Sequence, residues 1–298
     1  MSQREANTEK IIQAVKWTVY TILIINFVFY VFEDRERAIH TLNAGSTFPE
    51  WAGEFANSID ETAWFLLLFM FELETYVVAA ANWKGWIAHT VRGVRLFCYL
   101  LIGHTVYAYM VVVISLQPSV AVEHASDLCG LADAEVSYVY NLEYTPVNDR
   151  TCVELSNETR FYWLEKDRVV SDMAGLELER DLAWADLIEA VVWLLILLAI
   201  ENVVRLQGRG VTAGAMIFAG NALKILLYFV LITLGVYWAT LSHWLYFFDE
   251  LVWIGGFAVI ELNVSKWRNS MLAGEDKQIS AGNPDASAVN QCDDTNRP

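Results

Sequence analysis

Six apolar stretches constrain this chain most. They run over 11–33, 59–81, 92–116, 182–206, 219–241 and 246–266, and each supplies the ~20 residues an α-helix needs to cross a hydrocarbon core. Inside lipid every backbone polar group must find its partner within the protein, so such segments cross as complete helices. The sequence therefore predicts an all-α integral membrane protein with six transmembrane helices. No proline lies inside any of the six, which predicts unbroken helices. The first stretch follows the polar run MSQREANTEK. It lacks a short apolar core ending in a small-residue cleavage site, and reads as a retained helix rather than a signal peptide.

The charged residues assign the sides. Thirteen of the 20 Lys and Arg fall at the N-terminus, the 82–91 and 207–218 loops, the C-terminal tail and the adjoining helix ends. Basic residues in short loops stay cytoplasmic, so both termini are expected there: residues 1–10 as a polar arm and 270–298 as a disordered tail. The 117–181 loop then faces outside as a small folded cap. It holds fourteen acidic and five basic residues, together with Cys129 and Cys152, which an oxidising compartment would join in a disulfide. The net charge of -16 excludes a phosphate-binding footprint and with it nucleic acid as a partner. The lipid bilayer is the expected partner, and other membrane subunits are compatible with the aromatic-rich surface.

Alternate helices share a pattern. The second reads Asp60-Glu61, then Trp64, then Glu72; the sixth reads Asp249-Glu250, then Trp253, then Glu261, in the same register. The fourth carries Asp186, Glu189, Trp193 and Glu201. The odd helices place a cation four residues before a tyrosine: Lys16 and Tyr20, Arg95 and Tyr99, Lys224 and Tyr228. That spacing puts both on one helical face. Tyr30, Tyr107 and Tyr237 recur further along with small shifts. The expectation is three pseudo-repeated two-helix hairpins around a threefold axis, covering 11–269.

About ten apolar residues separate the acids at the two ends of each even helix, or ~15 Å at helical rise. The hydrocarbon core is ~30 Å thick. At least one acid per helix must therefore reach into the membrane, facing protein or a cavity. Glu72, Glu201 and Glu261 match Lys16, Arg95 and Lys224 in depth, which predicts three acid–base pairs near the cytoplasmic side, either an ion pathway or static helix clasps. Glu61, Glu189 and Glu250 form an outer set. His104, in the middle of the third helix, is a candidate proton relay. Trp64, Trp193 and Trp253 read as packing residues, and Asn26, Thr105 and Thr233 as polar glue between helices.

No nucleophile–histidine pair, histidine box or CxxC arrangement occurs, and the histidines lack metal-ligand spacing. No enzymatic activity, metal or cofactor is expected. The reading that follows is a channel or transporter for a small cation or protons. The alternative is a non-catalytic scaffold, sensor or subunit of a larger membrane complex.

Overall fold

The computed structural model describes residues 3–73, 85–122, 127–156, 158, 160–165, 167–208 and 214–257. Eight helices lie among them: α1 (Gln3–Thr41), α2 (Phe48–Glu54), α3 (Ala56–Glu72), α4 (Trp86–Ser115), α5 (Cys152–Leu155), α6 (Met173–Gly208), α7 (Ala215–Thr240) and α8 (244–257). Four contain segments long and apolar enough to cross a membrane: Gln13–Thr41, His89–Ser115, Met173–Val203 and Ala215–Thr240. These mark a multi-pass membrane protein. The expected second and sixth spans begin as α3 and α8, and their remainders, 74–81 and 258–266, lie outside the described residues. Glu261, Cys292 and the tail lie outside them too. Helix α1 begins at Gln3 and so runs through the residues expected as the polar arm.

The chain divides into two compact units, Met1–Val19 with Leu251–Pro298, and Tyr20–Glu250. In the first, Gly256 lies against Val19: a Cβ there would meet Val19 Cγ1 at 3.6 Å, an ordinary contact.

In the second unit the long helices contact one another in a closed ring. Phe27 meets Phe65 edge-on at 5.7 Å between α1 and α3, and Tyr109 hydrogen-bonds Asn57 between α3 and α4. Val113 packs with Ala183 and Leu187 between α4 and α6. Trp238 packs with Leu182 and Ala185 between α6 and α7. Gly235 lets α8 come close to α7, since a Cβ there would lie 3.2 Å from Phe247. Tyr246 stacks on Tyr30 at 5.6 Å and returns the ring to α1. The pattern is apolar outside and polar inside: Phe29, Leu100, Ile225 and Phe229 are 52–71% exposed, while Asn26, Asp34, Glu61 and Glu250 are at most 8% exposed. A water-soluble bundle would not expose so large an apolar belt, whereas lipid covers it without cost.

The cap is not helical. It is a five-stranded sheet, β1 (Val120–Ala121), β2 (Ser137–Tyr140), β3 (Glu143–Pro146), β4 (Tyr162–Glu165) and β5 (Val169–Ser171), in the order β1-β4-β5-β2-β3. All pairings are antiparallel except β2 with β5. Its own core gathers Leu128, Val136, Val147, Phe161 and Val170. Cys129 and Cys152 form the expected disulfide, tying the turn at Leu128–Leu131 to α5.

The cap is fastened to the ends of α1 and α7, and α6 to the end of α4. Arg168 donates to the carbonyls of His40 (3.3 Å) and Leu42 (2.6 Å) at the end of α1. Arg180 donates to Leu116 and Gln117, both at 2.7 Å, beyond α4. Asn141 Nδ2 donates to Leu241 at 3.1 Å beyond α7. Each contact satisfies carbonyls that a helix C-terminus leaves without partners.

Candidate functional site

The carboxylates at the cap end converge. A cavity of about 70 Å3, lined by α1, α3, α4, α6, α7, α8 and the β2–β3 turn, takes Asp60 and Glu61 from α3, Asp186 and Glu189 from α6, and Asp249 from α8. It has room for several waters. Among its lining residues Arg37 is the one cation. Its guanidinium is 2.6 Å from Asp34 and 3.5 Å from Glu54. Asp34, fully buried, also accepts the backbone N–H (2.8 Å) and hydroxyl (2.7 Å) of Ser58. Asp34 therefore anchors Arg37 and caps the first turn of α3, where a negative charge is favoured.

The other acids are held by neutral donors. Trp64 Nε1 donates to Asp60 Oδ2 (2.9 Å), Trp238 Nε1 to Glu189 Oε2 (3.0 Å) and Trp193 Nε1 to Glu250 Oε1 (3.1 Å). Asn26 Nδ2 donates to Asp249 Oδ1 at 2.9 Å, and the Thr105 hydroxyl is within hydrogen-bonding reach of Asp60. Trp64 and Trp193 meet edge-to-face at 5.6 Å. The tryptophans pack, as expected, and also solvate acids. Asn26 acts between helices; the Thr105 hydroxyl bonds Leu101 of its own helix at 3.2 Å and also lies within reach of Asp60. Thr233 does not act between helices, for its hydroxyl bonds Phe229 of its own helix.

The outer set is thus drawn together, with Glu61 and Glu189 on the cavity and Glu250 beside Glu189. Of the set expected near the opposite end, Glu72 and Glu201 lie off this cavity, and Glu261 lies outside the described residues. Glu72 Oε1 accepts from Tyr20 at 2.7 Å. Glu201 is 3.1 Å from Arg205 and accepts from Tyr99 at 3.5 Å. Neither lines the cavity. Lys224 is buried at 8% exposure. Lys16 and Arg95 do not line the cavity, and neither does His104, whose Nδ1 is buried without a hydrogen-bond partner.

Three aromatic residues follow the odd-helix tyrosines by ten positions: Tyr30, Tyr109 and Trp238. All three line the cavity. They replace the expected Tyr30, Tyr107 and Tyr237 set, because Tyr107 is 64% exposed and points outward. Asn57, Asp186 and Tyr246 stand seven residues before Trp64, Trp193 and Trp253 and line the cavity as well. The shared spacing from each tryptophan could have found Asn57 and Tyr246. Arg37 and Asp34 carried no such signal.

The β2–β3 turn closes the cap end. Asn141 and Leu142 have φ of 55° and 62°, the hairpin geometry that fits strand twist and favours Asn or Gly. Leu142 is an unusual occupant of the left-handed region. Its backbone N–H donates to Glu179 at 2.9 Å, and its side chain packs with Trp238 and Tyr246. His243 Nε2 is 3.1 Å from Asn141 Oδ1, and burial lowers the imidazole's proton affinity, opposed by Glu143. Burial raises Glu54 above the usual carboxylate range, opposed by Arg37.

Among the described residues no three His, Cys, Asp or Glu side chains are disposed to hold a metal ion. The sequence matches no protein family, and neither a characterised protein nor a solved structure matches the chain.

Proposed function

We propose that the chain is a channel or transporter for protons or a small cation, with the cap outside, both termini cytoplasmic and the carboxylate cavity as the site of uptake. One observation carries this reading: five acids from three helices converge on one cavity whose single cation, Arg37, is engaged by Asp34 and Glu54. Embedded acids are costly, and they concentrate where ions or protons move. An acidic cap would raise the local concentration of cations. Three two-helix repeats give the arrangement a simple origin. In support, Tyr20 to Glu72 and Tyr99 to Glu201 occupy matching positions. Tyr30, Tyr109 and Trp238 likewise meet acids or an amide of the neighbouring even helix.

The second reading is a membrane scaffold or subunit. It is favoured by Glu72 and Glu201, each held by its own tyrosine as a helix clasp.

Flux in liposomes separates the two. Under the transport reading, Glu189→Gln and Asp249→Asn abolish proton or cation flux, while Glu72→Gln and Glu201→Gln retain it with lower stability. No flux in the wild type under any gradient, or flux indifferent to Glu189 and Asp249, would overturn transport and leave the scaffold.

A further inference from the structure

We infer that Glu189 and Glu250 share one proton and form a proton-binding pair. The pair stands on its own geometry; its role in conduction rests on the transport reading.

Glu250 is 4% exposed. Its Oε1 accepts from Trp193, and its Oε2 has no N–H or O–H donor. Glu189 accepts from Trp238 through Oε2. The two carboxyl groups lie within hydrogen-bonding reach of each other. Ionised carboxylates only accept hydrogen bonds. A contact between two of them is attractive when one carries a proton, and two adjacent buried carboxyl groups cannot both ionise at ordinary cost. The proton then belongs to the pair rather than to either residue.

Among the described residues that line the cavity beside the pair, Arg37 is the one cation. The titratable groups around the pair are Asp249 and Tyr246 on α8, Asp186 on α6, Asp60 and Glu61 on α3, and Tyr30 on α1. None is cationic at neutral pH. Arg37 is held 2.6 Å from Asp34. A hard metal ion needs six or more converging oxygens, whereas here Asp60, Glu189, Asp249 and Glu250 each have an oxygen taken by an N–H donor. Fixed N–H donors with one oxygen left over suit a proton.

Glu189 lines the cavity and Glu250 does not, so exchange runs through Glu189. A hydronium in the cavity gives its proton to the singly protonated pair, leaving water and two neutral carboxylic acids. Release is the reverse, breaking one O–H bond.

Infrared spectroscopy of the full chain in lipid, in H2O and D2O, tests this. The wild type should show protonated-carboxyl absorption at neutral pH, with an isotope-shifted carbonyl band to which the pair contributes one component. Either Glu189→Gln or Glu250→Gln alone should remove that same component, because the amide takes the place of the protonated partner and the remaining acid ionises. No protonated carboxyl in the wild type, or a band that neither substitution diminishes, would overturn the pair. Should a variant not fold, a wild-type titration decides: the band must persist through neutrality and disappear only in alkali. Proton flux measured alongside keeps the two claims apart. A band that behaves as stated with no flux retires transport and upholds the pair; metal-cation flux with no band does the opposite.

Discussion

Trp238 on α7 reaches Glu189 on α6 with its indole N–H, at 3.0 Å, and is itself only 1% exposed. The contact solvates an acid without neutralising it. Trp238→Phe deletes the donor along with the five-membered ring. Stripping a buried polar group of its partner costs about 1–3 kcal/mol, so unfolding in detergent should shift by that amount. Glu189→Gln added to Trp238→Phe should cost less than the sum of the two, since the unsatisfied oxygen is then neutral.

Arg37 and Asp34 form a close ion pair, at 2.6 Å with Asp34 fully buried. Arg37→Met should destabilise by about 3 kcal/mol, because it leaves an uncompensated buried charge. Arg37→Met with Asp34→Asn should recover much of that loss. A double-mutant cycle in chemical denaturation measures the coupling, and additive effects would contradict the pairing described.

The Cys129–Cys152 bridge closes a loop of sequence separation 23. Replacing both cysteines with serine should destabilise the cap by about 3 kcal/mol. Limited proteolysis should then cut within 127–156 while the helices stay intact. Cleavage that begins in the helical bundle instead would mean that the cap does not unfold as a unit of its own.

His243 gives a pH dependence with a defined sign. Burial lowers its proton affinity in the folded chain below the ordinary imidazole value, so the unfolded chain binds the proton more readily. Its contribution to stability is complete above the unfolded value, near ~6.5, and is lost as pH falls through the lower folded value. Between pH 7.5 and 5 the wild type should lose more stability than His243→Gln, as read by thermal unfolding at each pH. Equal losses would exclude His243 as the cause.

Much of the architecture is legible from apolar run length alone, since lipid permits few alternatives to a helix. The acids stand out for the same reason: Asp60-Glu61 and Asp249-Glu250 interrupt apolar sequence at a fixed distance from tryptophan. Their convergence is not legible. Glu72 and Glu201 match Lys16 and Arg95 in depth, yet depth carries no azimuth, and it does not reveal that the hydroxyls of Tyr20 and Tyr99 reach these acids. Asp34, Arg37 and Asn57 sit at the edges of the apolar stretches, where charge and amide are ordinary, and only contacts over 24 and 52 positions reveal their roles. The sheet escapes notice because its strands are two to four residues long, too short for an alternating pattern to register.

The fastening of the cap has a consequence for the order of assembly. Arg168 is 126 residues from Leu42, and Asn141 is 100 residues before Leu241. During synthesis α1 and α3 emerge long before Arg168 exists, and the cap is complete before α7 is made. The turn bearing Asn141 and Leu142 must therefore wait for its last anchor until the end of α7 has crossed. The first helices meet the membrane with their terminal carbonyls facing water, and the latch at Leu241 closes only once α7 is made.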